Sequence, residues 1–145
     1  MMVLHHEDAI AMADLALIRA RREEVKDLAR TIKKNQSREN EQMRRWYRQW
    51  YSSNLQRWAP GRRMGMGWQH SRMMGVNIQA LRQAIDFDRA FLEQMIPHHQ
   101  MGVMMSTMAA NNTNQIEIRK LAEEMSSEQS KEIKMMDDWY REWYP

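Results

Sequence analysis

Five thioethers and two imidazoles fall between Met95 and Met108, in the run Met95-Ile96-Pro97-His98-His99-Gln100-Met101-Gly102-Val103-Met104-Met105-Ser106-Thr107-Met108. A buried helix ordinarily uses Leu, Ile and Val, whose rotamers are better defined, whereas Met fills gaps flexibly and specifies a core poorly. Side chains of this kind point to a chemical role beyond packing. Thioether sulfur and imidazole nitrogen form a soft donor set that suits Cu(I), and by the same preference Ag(I), but not Mg, Ca or Mn; imidazole alone also accepts Cu(II). A second set lies upstream, where Met64-x-Met66 and His70-x-x-Met73-Met74 surround Gly65 and Gly67. That segment reads either as a metal-wrapping loop or as a loop whose Met side chains dock on the body of the protein.

The elements that must position these donors emerge from an internal repeat. Shifted by 93 positions, residues 2 to 51 lie over residues 95 to 144 without a gap, and about 17 of the 50 pairs are identical. Met2, His5, His6, Met12 and Ala16 fall on Met95, His98, His99, Met105 and Ala109. Later, Gln36, Glu39, Trp46, Tyr47, Trp50 and Tyr51 fall on Gln129, Glu132, Trp139, Tyr140, Trp143 and Tyr144.

Each copy reads as a helical hairpin. Apolar or small residues at 2, 5/6, 9, 12/13 and 16 alternate by three and four, which predicts a helix from the N-terminus to about Arg19. A second helix is expected from about Glu23 to Tyr51. In copy two, Asp86 or Asp88 caps a helix running to about Asn111, and the last helix runs from about Gln115 to Trp143. Pro97 inside the third long helix removes a hydrogen bond and predicts a kink or local widening beside the His pair. Residues 52–83 are broken by Pro60, Gly61, Gly65 and Gly67 and read as a connection, with a short helix near 76–84. The chain is thus expected to be a single all-α domain over 1–145: an up-and-down four-helix bundle of two pseudo-twofold hairpins, repeat one 1–51, connection 52–83 and repeat two 84–145. Antiparallel pairing about the second turn puts His98 level with Gln129 and Met95 near Glu132. In copy one it puts His5 level with Gln36 and Met2 near Glu39.

Composition limits the function classes. There are 0 Cys against 16 Met and 5 His, so soft-metal chemistry must run through thioether and imidazole, a choice that fits an oxidising compartment. The net charge is +3, but residues 1–75 carry about +7 and residues 76–145 about −4, so the Met-rich half is the acidic one. Basic residues mixed with Glu along amphipathic helices do not predict a nucleic-acid partner. No apolar run is long enough to span a membrane. Because Met1 to His6 reads as the middle of a helix, an upstream segment with a signal peptide is expected to have been removed. Di-iron or di-manganese carboxylate chemistry needs Glu-x-x-His, which does not occur, and no nucleophile constellation is present, so a non-enzyme is expected.

The pattern Phe87-Asp88-x-x-Phe91…Met95-Ile96-Pro97-His98-His99-Gln100-Met101, followed by Gln129-x-x-Glu132-Ile133 and Trp139-x-x-x-Trp143, resembles the DUF305 family of bacterial ferritin-like all-α domains. The resemblance covers both copies. It implies an exported protein, periplasmic or otherwise, of poorly defined activity, with Met and His suited to copper.

Two readings compete for the individual residues. His98 is accounted for either as a ligand or as a core ring bonded to Gln129 or Glu132, and His99 lies beside the same seam. Met95 and Met105 belong to the seam that copy one repeats. Met101, Met104 and Met108 match Asp8, Ala11 and Leu15, and the Asp predicts an outward-facing, largely exposed stripe. The expected metal donors are therefore Met101, Met104, Met108, His98, His99, Met105 and Met95, with Met64, Met66, His70, Met73 and Met74 from the connection. The function expected is Cu(I) sequestration or buffering, with a copper-export or copper-chaperone protein as partner. The alternative is an interaction module whose Met stripe docks a protein. The Trp-Tyr-Arg-x-Trp-Tyr endings read as hydrophobic plugs for the bundle ends, or as docking surfaces.

Overall fold

The computed structural model describes residues 1–51 and 75–145. The Met64, Met66, His70, Met73 and Met74 donors lie outside the described residues. Among the described residues there are five helices, α1 (Met2–Arg19), α2 (Glu23–Trp50), α3 (Ile78–Gln83), α4 (Phe87–Asn112) and α5 (Ile116–Trp143), and no strand. The long pair α2 and α5 each extend about 42 Å at the helical rise of 1.5 Å per residue.

Local chemistry sets the boundaries. The Asp86 carboxylate caps α4 by accepting the Arg89 N–H (3.2 Å), and Asn77 caps α3 by accepting the Ala80 N–H (2.9 Å). Asp88, the other expected cap, has a different task. It is buried and accepts the backbone N–H groups of Arg21 (3.0 Å) and Arg22 (2.9 Å), so it serves the start of α2, whose own N-cap Arg22 makes no side-chain cap bond. Arg19 works in the reverse direction. Its guanidinium donates to the Leu81 (3.3 Å) and Ala84 (2.8 Å) carbonyls and to that of Arg82 at the end of α3, and lies over the Phe87 ring. These bonds lock one hairpin to the other. Pro97 sits inside α4, which is helical throughout from Phe87 to Asn112.

The hairpins α1–α2 and α4–α5 meet through α1 and α4, which run antiparallel: Arg21 reaches Asp88 at one end while His5 reaches His98 farther along. The core cluster uses Ala9, Met12, Ala13 and Ala16 of α1, Val25, Leu28, Ala29 and Ile32 of α2, Leu81 of α3, and Phe87, Phe91, Leu92 and Met95 of α4. Small side chains on α1 let the four helices approach closely around Phe91 and Met12, each of which contributes about 1.5–3 kcal/mol by burial. Met95 is the last α4 residue in that cluster. Beyond it, the helix enters a polar layer.

Candidate metal centre

The polar layer is built by consecutive His pairs on the two inner helices. All four imidazoles, His5, His6, His98 and His99, are no more than 1% exposed. His5 and His98 stack at 3.7 Å between ring centres with an interplanar angle of 18°. They are 93 residues apart, the offset of the repeat, so the same residue of both copies meets on the pseudo-twofold axis. Asn35 and Glu128, also 93 apart, meet in the same way at 3.4 Å. Within each copy the neighbouring rings take matching poses, with centres 6.2 Å apart and tilted by 53° for His5 and His6, and 6.3 Å and 50° for His98 and His99.

The outer helices hold these rings. His6 Nε2 donates to Glu39 Oε2 on α2 (2.6 Å), and His99 Nε2 donates to Glu132 Oε2 on α5 (2.7 Å). His5 Nε2 donates to the His98 carbonyl (2.9 Å). In each case an acceptor assigns the ring proton to Nε2 and leaves Nδ1 with a lone pair. None of the four Nδ1 atoms, nor the carboxamides of Gln36 and Gln129, has a hydrogen-bond partner among the described residues. An unmet buried polar group costs about 1–3 kcal/mol, so six such side chains in one layer are a large expense for a purely structural core. A carboxylate on one ring nitrogen and a free lone pair on the other is the arrangement that prepares imidazole to ligate a metal.

Electrostatics favour the neutral form. Burial, reinforced by His5 and its other imidazole neighbours, pushes the His98 pKa down to about 2, and burial pushes His5 down to about 4 despite its bond to the His98 carbonyl. Such rings have no proton to lose before binding an ion. Among the described residues no three His, Asp or Glu side chains gather in a geometry that holds a metal.

The expected donors divide by burial. His98, His99 and Met95 are fully enclosed, Met101 and Met105 are half-buried, and Met104 and Met108 are 50% and 58% exposed. Met101 departs from the largely exposed position expected for it. So does its counterpart Asp8, which is half-buried. The packing of α1 on α4 covers a second side of each inner helix, so the shielded arc is wider than a hairpin alone would give. The register within each hairpin also differs by one helical turn. Glu132 meets His99 rather than lying near Met95, Glu39 meets His6 rather than lying near Met2, and Gln129 lies beside Gly102. His98 consequently has no bond to Gln129 or Glu132; it stacks on His5. Absent from the expected donor set were His5 and His6, whose equivalence to His98 and His99 under the repeat was the available signal.

Gly102 allows the layer to close. A Cβ there would run into the Gln129 carboxamide oxygen and stand 2.9 Å from His5 Cε1. Its counterpart in copy one is Ala9, and the layer is asymmetric at this point: His5 donates to the His98 carbonyl without a reciprocal bond from His98. A cleft of about 380 Å³ between α2 and α5, bordered by Arg38, Glu39, Trp46, Leu121 and Glu124, brings open space up to the carboxylate that holds His6. Nearby, burial and the Glu39 charge raise the Glu128 pKa.

Solved structures share this architecture. CopM in its Cu(I)-bound, silver-bound and Cu(II)-bound forms is 40%, 41% and 43% identical, with TM-scores of 0.83, 0.85 and 0.85; the matches cover 100%, 100% and 99% of this chain and 94%, 93% and 93% of CopM. A candidate secreted DUF305 protein from Streptomyces coelicolor is 28% identical with a TM-score of 0.78, covering 97% of this chain and 88% of that one. No curated protein matches. The family model described as a domain of unknown function, DUF305, matches residues 1–140, and the chain belongs to that family.

Proposed function

We propose that this protein binds copper as Cu(I), and Ag(I) in its place, to sequester or buffer the ion without catalysing a reaction. The observation that carries the reading is the set of buried imidazoles whose Nε2 atoms are held by Glu39, Glu132 and the His98 carbonyl while Nδ1 remains unmet. The likeness to CopM, solved with Cu(I), silver and Cu(II), supports the choice of metal. In this reading His98 and His99, with His6 and His5 in the other repeat, supply the interior nitrogen donors, and Met95, Met101 and Met105 are the nearest thioethers along α4. Met104 and Met108, with Met64, Met66, His70, Met73 and Met74 of the connection, form an outer set that collects the ion or holds further ions. Cu(II) would go to imidazole and oxygen donors rather than to thioether. The location proposed is the periplasm or another exported compartment, consistent with the candidate secreted relative, and the recipient a copper-export or copper-chaperone protein.

Competition titration with a Cu(I) chelator under anaerobic conditions separates the two donor sets. Replacing His98 and His99 by Asn should abolish the tightest site. Met104→Leu/Met108→Leu, both at exposed positions, should retain it and lower the total number of ions bound. If the His variant binds as wild type does, the interior assignment fails; if the Met variant keeps its full stoichiometry, the outer set fails. The exposure of Met104 and Met108 also fits a protein-docking stripe, and in that case the Met variant would keep all its copper and lose its partner.

A further inference from the structure

The aromatic ending Trp-Tyr-Arg-x-Trp-Tyr is the same in both repeats and is used differently. In repeat two, Trp139, Tyr140, Trp143 and Tyr144 pack against the core cluster. Arg22 lies 4.0 Å from the Trp143 ring centre, Tyr140 donates to Glu93 (2.6 Å) and Tyr144 donates to Asp86 (3.2 Å). In repeat one, Trp46 stacks on Trp50 at 5.7 Å and Tyr47 tilts onto Tyr51 at 5.4 Å. Among the described residues Trp46 and Trp50 are outside the shell packed on the core cluster; both are half-buried, Trp46 borders the cleft against α5, and Tyr51 is 57% exposed.

Charge separates the two ends further. Arg44 and Arg45 stand where repeat two has Asp137 and Asp138. Arg44 pairs with Glu7, whereas Arg45 and Arg48 are exposed. From Gln42 to Ile85 the sequence has no Asp or Glu, yet that stretch holds eight of the 16 Arg, none of the six Lys and four of the 6 Trp. The helix dipole explains a cation or two in a last turn. It does not explain the exclusion of Lys and of every acid, and α5, of the same 28-residue length, ends with Asp137, Asp138 and Glu142 in the corresponding turns.

We propose that the C-terminal end of α2, through Arg45, Trp46, Arg48, Trp50 and Tyr51, docks on an anionic phospholipid bilayer surface. Arg meets a phosphodiester with a planar fork of donors, which Lys does not offer. Trp and Tyr settle at the level of lipid headgroups, apolar ring inward and polar edge toward water. Attachment would be peripheral, since no helix among the described residues is long and apolar enough to cross a membrane. Nucleic acid presents phosphates too, but base stacking needs free ring faces, and Trp46 and Trp50 cover one face of each other.

Flotation of the full chain with vesicles tests this. Wild-type protein should partition onto vesicles of equal parts phosphatidylcholine and phosphatidylglycerol, and not onto phosphatidylcholine alone. Arg45→Gln/Arg48→Gln, both at exposed positions, should weaken that partition about thirty-fold, while Lys131→Gln/Lys134→Gln removes the same charge from α5 and should change it less than about twofold. No partition on the anionic vesicles, equal loss in the two variants, or tighter binding to duplex DNA at the same salt would each overturn the proposal.

Discussion

A carboxylate on Nε2 decides what each outer-held imidazole can do. Glu132 fixes the tautomer and orientation of His99, so Glu132→Gln should leave the fold intact and weaken Cu(I) affinity about 10–100-fold in chelator competition, the usual effect of losing such a partner. A residue acting only as a core contact would not move that constant. The stacked pair makes a separate prediction about pH. Free imidazole titrates near 6.5, and the fold pushes His5 to about 4 and His98 to about 2. Below about pH 6.5 the unfolded chain takes up protons that the native rings refuse, so stability conferred by neutral imidazole is complete above that pH and falls as the pH drops toward 4. The slope should approach about 1.4 kcal/mol per pH unit for each of the two rings. Urea midpoints of metal-free protein at pH 7 and pH 5 measure it, and equal midpoints would show that the rings are not desolvated. Gly102→Ala adds a Cβ against Gln129 and His5 and removes a flexible residue from a helix. The buried clash outweighs the propensity gain, giving a net destabilisation of about 1 kcal/mol in urea.

At the scale of elements, the hairpin-to-hairpin bonds matter more than any single cap. Asp88 sits on α4 yet accepts the N–H groups of Arg21 and of Arg22, the N-cap of α2, so Asp88→Ala should cost about 1–2 kcal/mol. Faster amide exchange at the start of α2 would locate the loss, and unchanged exchange there would refute the role. The helices themselves were legible in the sequence. Hydrophobic spacing, the repeat and the acids at 86 and 88 placed the boundaries of α1, α2, α4 and α5 within a residue or so, because strongly periodic long segments leave little choice. Cross-helix register was not legible. Counting from the turn put Glu132 beside Met95, whereas side chains on both antiparallel helices lean toward their own N-termini and so bring Glu132 to His99, one turn away. Nor could the exposure of Met101 be read from Asp8, since a polar residue on one face says nothing of a neighbouring helix that arrives from the other hairpin.

For the whole molecule, the repeat is the fact from which most else follows. It places His5 on His98 and Asn35 on Glu128, and it was visible as a fixed offset before any coordinates. What it could not reveal is where the two copies diverge in use: Gly102 against Ala9, the Met stripe against Asp8, Ala11 and Leu15, and the basic end of α2 against the acidic end of α5. We propose that the shared core and the Arg19 and Asp88 bridges make the two hairpins one cooperative unit. Circular dichroism and Trp fluorescence should therefore report a single coincident unfolding transition in urea, and separate transitions would mean that the hairpins fold independently. Entry of copper into the imidazole layer can be read by X-ray absorption at the copper edge on protein loaded anaerobically with one equivalent of Cu(I). Copper held by these rings should show nitrogen scatterers with the outer-shell pattern of imidazole, alone or with sulfur. A shell of sulfur without imidazole would contradict it and move the metal to the methionines.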